Sequence, residues 1–265
     1  MTNDFTFAHR EEGFDNHIDK SIRGYRDLMN DVVSFSRYFV EESSFVMDIG
    51  CSTGKLTKRI IEENFPHKKN VFYEGIEYAE GFKEDLSKRS KEIFAMTGKS
   101  DFPVVSFQEK DIRDHSWSRN YSFITSIFTL QFMPKKNREK LIREIYNSLN
   151  PGGAFVFAEK VYAENANLQD MLTFMYYDHK REHFDDKDIL DKEKTLRHML
   201  KPNTWPEISS FLTGAGFKNV QVFWRNHNFL GAIAVKWVTL NLLKEESLKR
   251  IALCYLMVLQ LNLKT

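Results

Sequence analysis

Apolar and polar positions along the chain follow two periods, one typical of buried strands and the other of amphipathic helices. Short apolar runs predict five strands in the first part of the chain: Phe45–Gly50, Val71–Glu77, Val104–Gln108, Tyr121–Phe128 and the "AFVFAEK" segment that ends at Lys160. Helical spacing follows the first, second and fourth of these strands. The predicted helices are Phe14–Phe39, Lys55–Asn64, a segment that ends near Met96, and Lys136–Leu149. This alternation predicts an α/β protein with a doubly wound, parallel sheet that binds its ligand at the carboxyl ends of the strands.

The pattern becomes largely helical after Lys160, from about Leu168 to Leu200. We expect this segment, about residues 163–200, to cover the site as a lid. The stretches "GAGFKNVQVFW" and "FLGAIAVKW" then predict a closing pair of strands. Asn-Pro-Gly-Gly at Asn150–Gly153 predicts a turn.

The end of the chain carries leucines and isoleucines at helical spacing, which predicts an amphipathic extension over residues 237–265. Two roles are open for this helix: packing on its own domain, or contact with a second copy of the chain. No linker or repeat divides the residues before it. We therefore expect one domain over residues 1–236, followed by the extension.

Charge and composition narrow the class of substrate. The chain has 265 residues, with 38 Lys and Arg against 37 Asp and Glu, whereas nucleic-acid-binding proteins usually carry a basic excess. This balance favours a small-molecule substrate and argues against direct DNA binding. The start of the chain is charged, and the longest apolar run is too short to span a bilayer, so we expect a cytoplasmic protein without membrane contact.

Candidate metal and thiol sites are weak in this sequence. Cys51 and Cys254 are too few for a disulfide framework or a cysteine-based zinc site. His179 and His183 stand four residues apart, a spacing that puts two imidazoles on one face of a helix. Because a third ligand is missing, a solvated polar face is favoured, and no metal is predicted.

A glycine-rich turn follows the first predicted strand in "FVMDIGCSTGKL", where Gly50 and Gly54 flank Ser52. Such a turn lets the backbone approach a ligand closely, although dinucleotide-binding proteins use a similar fingerprint. Three acidic residues indicate which ligand the turn approaches. Asp48 lies inside the first strand, Glu77 ends the second, and Asp111 follows the third. At adjacent strand ends, Glu77 can accept two ribose hydroxyls, Asp111 an adenine amino group, and Asp48 can orient an amine. The set predicts a nucleoside that bears an amino acid.

The "VMDIGCSTG" segment resembles the first motif of class I S-adenosylmethionine-dependent methyltransferases. Further segments, above all "SIRGY" and "FTLQF", resemble the carboxy-S-adenosylmethionine synthase family over roughly residues 14–236. The resemblance implies a Rossmann-like, mostly parallel seven-stranded sheet with an antiparallel last strand. It also implies S-adenosylmethionine or carboxy-S-adenosylmethionine as the cofactor, prephenate as the carboxyl source, a donor role in modifying the wobble uridine of transfer RNA, and a homodimer.

The family's cofactor-binding positions are carried over one by one. By resemblance, the residues of this chain that contact the cofactor are Tyr25, Gly50, Cys51, Ser52, Glu77, Tyr78, Asp111 and Ile112. Asp48 joins them because of its place in the first strand. The thiol of Cys51 is interpreted as a small group in a tight turn, and no residue is an obvious proton acceptor.

The chain departs from the family pattern at two positions. Ile127 replaces an asparagine before "FTLQF", and Glu193 replaces an arginine that pairs with the added carboxylate. Substrate candidates in the lid segment are Tyr176 and Tyr177, with Lys194 or Arg197, or Lys192, in place of the arginine. Two other functions stay open: an ordinary methyltransferase acting on a small acceptor, and an inactive partner subunit that only binds the cofactor.

Overall fold

A central β-sheet organises the chain in the computed structural model, which describes residues 13–98 and 103–237. Its strands are β1 (Phe45–Ile49), β2 (Phe72–Glu77), β3 (Val104–Glu109), β4 (Tyr121–Ile127), β5 (Leu149–Tyr162), β6 (Asn203–Thr204), β7 (Asn219–Asn226) and β8 (Phe229–Val235). Seven strands lie in the order β3-β2-β1-β4-β5-β8-β7, and the two-residue β6 pairs with β5. The last strand, β8, is antiparallel to both β5 and β7, whereas β1 to β5 are parallel. The predicted fold class is confirmed, with β6 as a small addition.

Helices cover both faces of the sheet. They are α1 (Phe14–Ser21), α2 (Tyr25–Phe39), α3 (Lys55–Asn64), α4 (Lys83–Met96), α5 (Lys135–Ser148), α6 (Ala166–Arg181), α7 (Asp186–Met199) and α8 (Trp205–Ala215). One apolar cluster joins α2 and α3 to the sheet, and a second joins α5 and α8 to it. The chain runs outward from β1 to β3 and returns beside β1 as β4, so strand order reverses between β1 and β4. In open α/β sheets this reversal opens a crevice at the strand ends.

Two predicted elements differ from those observed. The predicted helix Phe14–Phe39 is broken into α1 and α2, because Gly24 adopts a left-handed φ of 73°. A Cβ at Gly24 would lie 2.8 Å from Nδ2 of the Asn226 side chain in β7, which adds to the preference for glycine that the positive φ sets here. The predicted turn Asn150–Gly153 instead belongs to the start of β5, where the pairing with β4 shifts register.

Helix α8 was not predicted, although a local signal for it exists. Thr204 and Glu207 form a capping box, in which the Thr204 hydroxyl accepts from the Glu207 amide and the Glu207 carboxylate accepts from the Thr204 amide. Pro206 in the first turn adds to this signal. The predicted C-terminal extension lies, from residue 238 onward, outside the described residues.

Arg138 of α5 joins several segments beneath the sheet edge. Its side chain is buried and pairs with Glu159 of β5 at 3.6 Å. The guanidinium also donates to the carbonyls of Met133 (3.0 Å), Gln131 (3.2 Å) and Lys201, and to the Asn203 side chain. The segment that follows α7 is thereby tied to the "FTLQF" loop.

Among the described helices, none combines the length and the apolar character that crossing a membrane requires.

Leu28 of α2 tests the packing of the helix on the sheet. Its side chain is fully buried, and Gly231 of β8 leaves room for it, since a Cβ there would lie 2.9 Å from Leu28 Cδ1. We expect Leu28→Ala to lower the free energy of unfolding by about 2–5 kcal/mol, as buried leucine truncations do. Tyr38→Ala, at an 81% exposed position of the same helix, should change it by less than about 0.5 kcal/mol. Urea denaturation measures both, and equal losses would contradict this account of the packing.

Candidate functional site

A cavity of about 580 Å³ opens at the carboxyl ends of β1, β2 and β4. Its size is typical of small-ligand sites, which mostly range from 300 to about 1,000 Å³. Ten of the predicted positions line this cavity: Tyr25, Asp48, Gly50, Cys51, Ser52, Glu77, Tyr78, Asp111, Ile112 and Ile127. The crevice predicted from the strand order is therefore where these residues meet.

The turn after β1 depends on glycine. Gly50 has a φ of 72°, and a Cβ there would lie 2.0 Å from Thr129 Oγ1. Gly54, with a φ of 69°, is the N-cap residue of α3 at the other end of the turn. The Gly50 amide donates to the Ile76 carbonyl at 2.7 Å, which holds the turn against the end of β2. Bare backbone consequently faces the cavity at this point.

The Glu77 carboxylate joins the ends of two strands. It accepts hydrogen bonds from the amides of Ser52 (2.8 Å) and Ala79 (2.9 Å). Burial raises the pKa of Glu77, while these amide bonds oppose that shift. A carboxylate can accept about four hydrogen bonds, so acceptor capacity remains for a ligand.

Asp48 is a buried acid beneath the turn. Its carboxylate accepts from the hydroxyls of Thr57 and Thr125, both at 2.8 Å, and 3% of the residue is exposed. Burial raises the pKa of Asp48 to about 6. A cationic group at the cavity wall would favour the ionised form.

Asp111 is held differently, by an arginine. The Arg113 side chain donates to both of its oxygens, at 3.0 and 2.9 Å from Nε, and the Arg113 amide donates at 2.9 Å. These contacts lower the pKa of Asp111. The third predicted acid is thus a fixed acceptor at the end of β3.

Apolar groups form the remaining wall around the turn. Tyr25 is buried, with its ring centroid 6.3 Å from that of Phe128, and Cys51 is 4% exposed. Burial raises the pKa of the Cys51 thiol well above its usual value, so the thiol stays neutral. Tyr78 is 73% exposed at the rim of the cavity.

The substrate candidates divide into two groups. Tyr176 is buried and lines the cavity. Lys192 also lines the cavity. Tyr177, Lys194 and Arg197 lie outside it in this chain; Lys194 pairs instead with Asp191 at 3.2 Å on the surface.

Several residues of the cavity were not predicted from the sequence, and two of them, Lys160 and Asp15, change its charge. Lys160 lines the cavity from the end of β5, and Asp15 reaches the glycine turn from α1, where it accepts from the Thr53 hydroxyl at 3.0 Å. A basic residue near the end of an apolar strand was the available signal for Lys160.

His179 and His183 have ring centroids 5.9 Å apart, and no cluster of three metal-binding side chains occurs in residues 13–98 and 103–237.

Comparison with known proteins settles the family. A methyltransferase domain model matches residues 46–153. The chain is 35% identical to a carboxy-S-adenosyl-L-methionine synthase of Staphylococcus epidermidis, over 84% of this chain and 92% of that protein. It is 31% identical to the synthase of Shewanella baltica, over 88% of this chain and 93% of the relative. The chain belongs to the carboxy-S-adenosyl-L-methionine synthase family.

Solved structures agree on the fold of this family member. The magnesium protoporphyrin IX methyltransferase of Synechocystis, with bound S-adenosylhomocysteine, has a TM-score of 0.54 at 14% identity, over 83% of this chain and 86% of that one. An O-methyltransferase family protein of Burkholderia thailandensis has a TM-score of 0.56 at 15% identity, over 87% and 61%. These structures support the fold, and the methyltransferase domain match together with the synthase relatives shows that the chain is an S-adenosylmethionine-dependent transferase, as predicted from the sequence.

A glycine substitution tests the turn. We expect Gly50→Ala to weaken S-adenosylmethionine binding by about tenfold or more, because the new methyl group meets Thr129 in addition to the strain of positive φ. Gly98→Ala is the matched control, since Gly98 has a φ of 71° with no atom within 4 Å of its Cβ position. Calorimetric titration measures both affinities. A similar loss in the two variants would contradict the turn's role.

The raised pKa of Asp48 predicts a pH-dependent affinity. Below about pH 6 the acid is protonated and neutral, and above it the carboxylate is charged, so the affinity for the cationic S-adenosylmethionine should rise as pH increases through about 6. In Asp48→Asn this rise should be absent and the affinity low throughout. Titrations from pH 5 to about 8 measure it. A rise that persists in the variant would assign the titration to another group.

Proposed function

We propose that this chain converts S-adenosylmethionine to carboxy-S-adenosylmethionine with prephenate as the carboxyl source. The observation that carries the proposal is the division of charge in one cavity. Acids at the strand ends (Asp48, Glu77, Asp111) suit a cationic nucleoside, and two of the lysines that line the cavity, Lys160 of β5 and Lys192 of α7, suit a carboxylate. The names of the relatives, which are matched over nearly their whole length, support the same reaction.

The residues of the cavity fit S-adenosylmethionine. In this proposal Glu77 accepts the ribose hydroxyls, Asp111 the adenine amino group, and Asp48 orients the amine. The glycine turn brings bare backbone to the ligand, and Tyr25 with Phe128 excludes water. When bound, S-adenosylmethionine supplies a methyl carbon activated by the sulfonium charge.

The chemistry balances without another reagent. Prephenate loses carbon dioxide and hydroxide as its ring becomes aromatic, which drives the release. The hydroxide would take a proton from the methyl carbon to give water, and the electron pair of the broken C–H bond would form the new bond to the carbon dioxide. A side chain that acts as proton acceptor is therefore not required, and the residues' tasks are to bind, to orient and to exclude water.

The finer expectations belong to the same proposal. The product would serve as a donor for modifying the wobble uridine of transfer RNA, and the enzyme would act in the cytoplasm as a homodimer. Exposed apolar side chains on α6, namely Leu168, Met171 and Phe174, support a contact between two copies.

An ordinary methyltransferase is the second candidate, and Glu193 favours it. This carboxylate stands where the family has an arginine for the added carboxylate, and it pairs with Lys160 at 3.6 Å. If the pair repelled a carboxylate substrate, the chain would transfer its methyl group to a small acceptor instead. An inactive partner subunit would bind the cofactor without turnover.

Mass spectrometry tests the proposal directly. Purified protein is incubated with S-adenosylmethionine and prephenate that carries ¹³C in its ring carboxylate. We expect a nucleoside that has gained one labelled carboxyl group. An unchanged mass, with S-adenosylhomocysteine accumulating when acceptors are added, would favour the methyltransferase. Binding without any turnover would favour the partner role.

Two glutamate variants, one in the cavity and one on the surface as its control, test the role of Glu77 in this assay. Glu77→Gln should reduce turnover at subsaturating S-adenosylmethionine by about tenfold or more, because an amide nitrogen would face the backbone donors that the carboxylate accepts. Glu84→Gln, on the exposed face of α4, should leave turnover unchanged.

A further inference from the structure

Lys160 lies near the end of β5 and lines the cavity. Its side chain is 13% exposed, and Nζ lies 5.3 Å from the centroid of the buried Tyr176 ring. A lysine so far removed from water requires a nearby negative charge. Glu193 of α7 provides it, since its Oε2 lies 3.6 Å from Lys160 Nζ.

Glu193 is itself incompletely satisfied. The carboxylate is 12% exposed, and its Oε1 is buried without a hydrogen-bond partner among the described residues. Lys160 lines the cavity, whereas Glu193 does not, so the glutamate meets the ammonium from outside the cavity wall. Because an ammonium has three donors, Lys160 can hold Glu193 and a carboxylate in the cavity together.

A second cation comes from the residue that precedes Glu193. Lys192 lines the same cavity and contacts the imidazole of His17, a buried residue of α1. Lys160 and Lys192 thus bring positive charge to the cavity from β5 and α7, in addition to the basic residues Lys55, Lys110 and Arg113 that line it from the glycine-turn side and from the segment after β3. Two further basic residues of α7, Lys194 and Arg197, are exposed and do not line the cavity.

We propose that Lys160 and Lys192 form a subsite, within a single chain, for the carboxylate groups of the substrate. Glu193 lowers the affinity of this subsite, because its charge offsets that of Lys160. The ligand class is a small dicarboxylate. Its identity as prephenate rests on the proposed function, but the charge arrangement does not.

Binding without turnover tests the subsite. Prephenate is titrated calorimetrically into protein saturated with S-adenosylhomocysteine, which has no methyl group to react. The double variant Lys160→Met with Glu193→Gln removes both charges of the pair, so that no unpaired charge stays buried. We expect it to bind prephenate about ten- to a hundredfold more weakly, the range for a lost charge-assisted hydrogen bond. Glu193→Gln alone should bind it a few-fold more tightly, at about the effect of relieving one like charge. The affinity for S-adenosylhomocysteine should be unchanged in both.

Lys194→Met is the matched control on α7 and should leave prephenate affinity unchanged. Unchanged affinity in the double variant, or a loss in Lys194→Met instead, would overturn the proposal. The proposal would also be overturned if the wild-type chain bound neither prephenate nor malonate, a simple dicarboxylate. Lysine-dependent binding without carboxyl transfer would retain the subsite and reject the reaction. Carboxyl transfer by the wild-type chain, together with unaltered prephenate affinity in the double variant, would support the reaction and reject the subsite.

Discussion

The hydrogen bond from the Ser52 amide to the Glu77 carboxylate joins the tips of β1 and β2, and the arrangement of the site depends on it. A buried carboxylate must find donors, because an unsatisfied one costs several kcal/mol, about 1–3 even for a neutral group. The donor is available only since the chain turns sharply at Gly50, where any side chain would collide with Thr129. The positive φ of Gly50 therefore places the turn against both the Glu77 carboxylate and Thr129, which also lines the cavity.

Burial gives the cavity an uneven charge. Asp48 and Glu77 both have raised pKa values because they are removed from water, so each is ionised at a cost that a cationic ligand would offset. Asp111 is different, since Arg113 already stabilises its charge. At Lys160, by contrast, the buried charge is positive, and it is paired with Glu193 at 3.6 Å. The same low-polarity surroundings thus favour a cation near the glycine turn and an anion near β5.

Much of this could be predicted from the sequence, and the limits have physical causes. Gly50, Glu77 and Asp111 each follow an apolar run, and parallel strands bring such residues to one edge. Lys160 ends a similar run, yet a terminal lysine is usually solvated, and only the cover by Tyr176 shows otherwise. On α7, adjacent residues point about 100° apart, so deciding among Lys192, Lys194 and Arg197 required knowing which face meets the sheet. The break at Gly24 depends on contact with β7, which is remote in sequence.

The contacts of Arg138 join the end of α7 to the wall of the cavity. Its guanidinium donates to the carbonyl of Lys201, just after α7, and to the carbonyls of Gln131 and Met133. The segment after α7 is therefore held against residues that line the cavity. The Gln131 side chain in turn accepts from the Lys160 amide at 2.6 Å. The end of α7, the loop at Gln131 and the end of β5 are therefore held together by one buried side chain, so a substitution of Arg138 would affect the cavity from outside its lining.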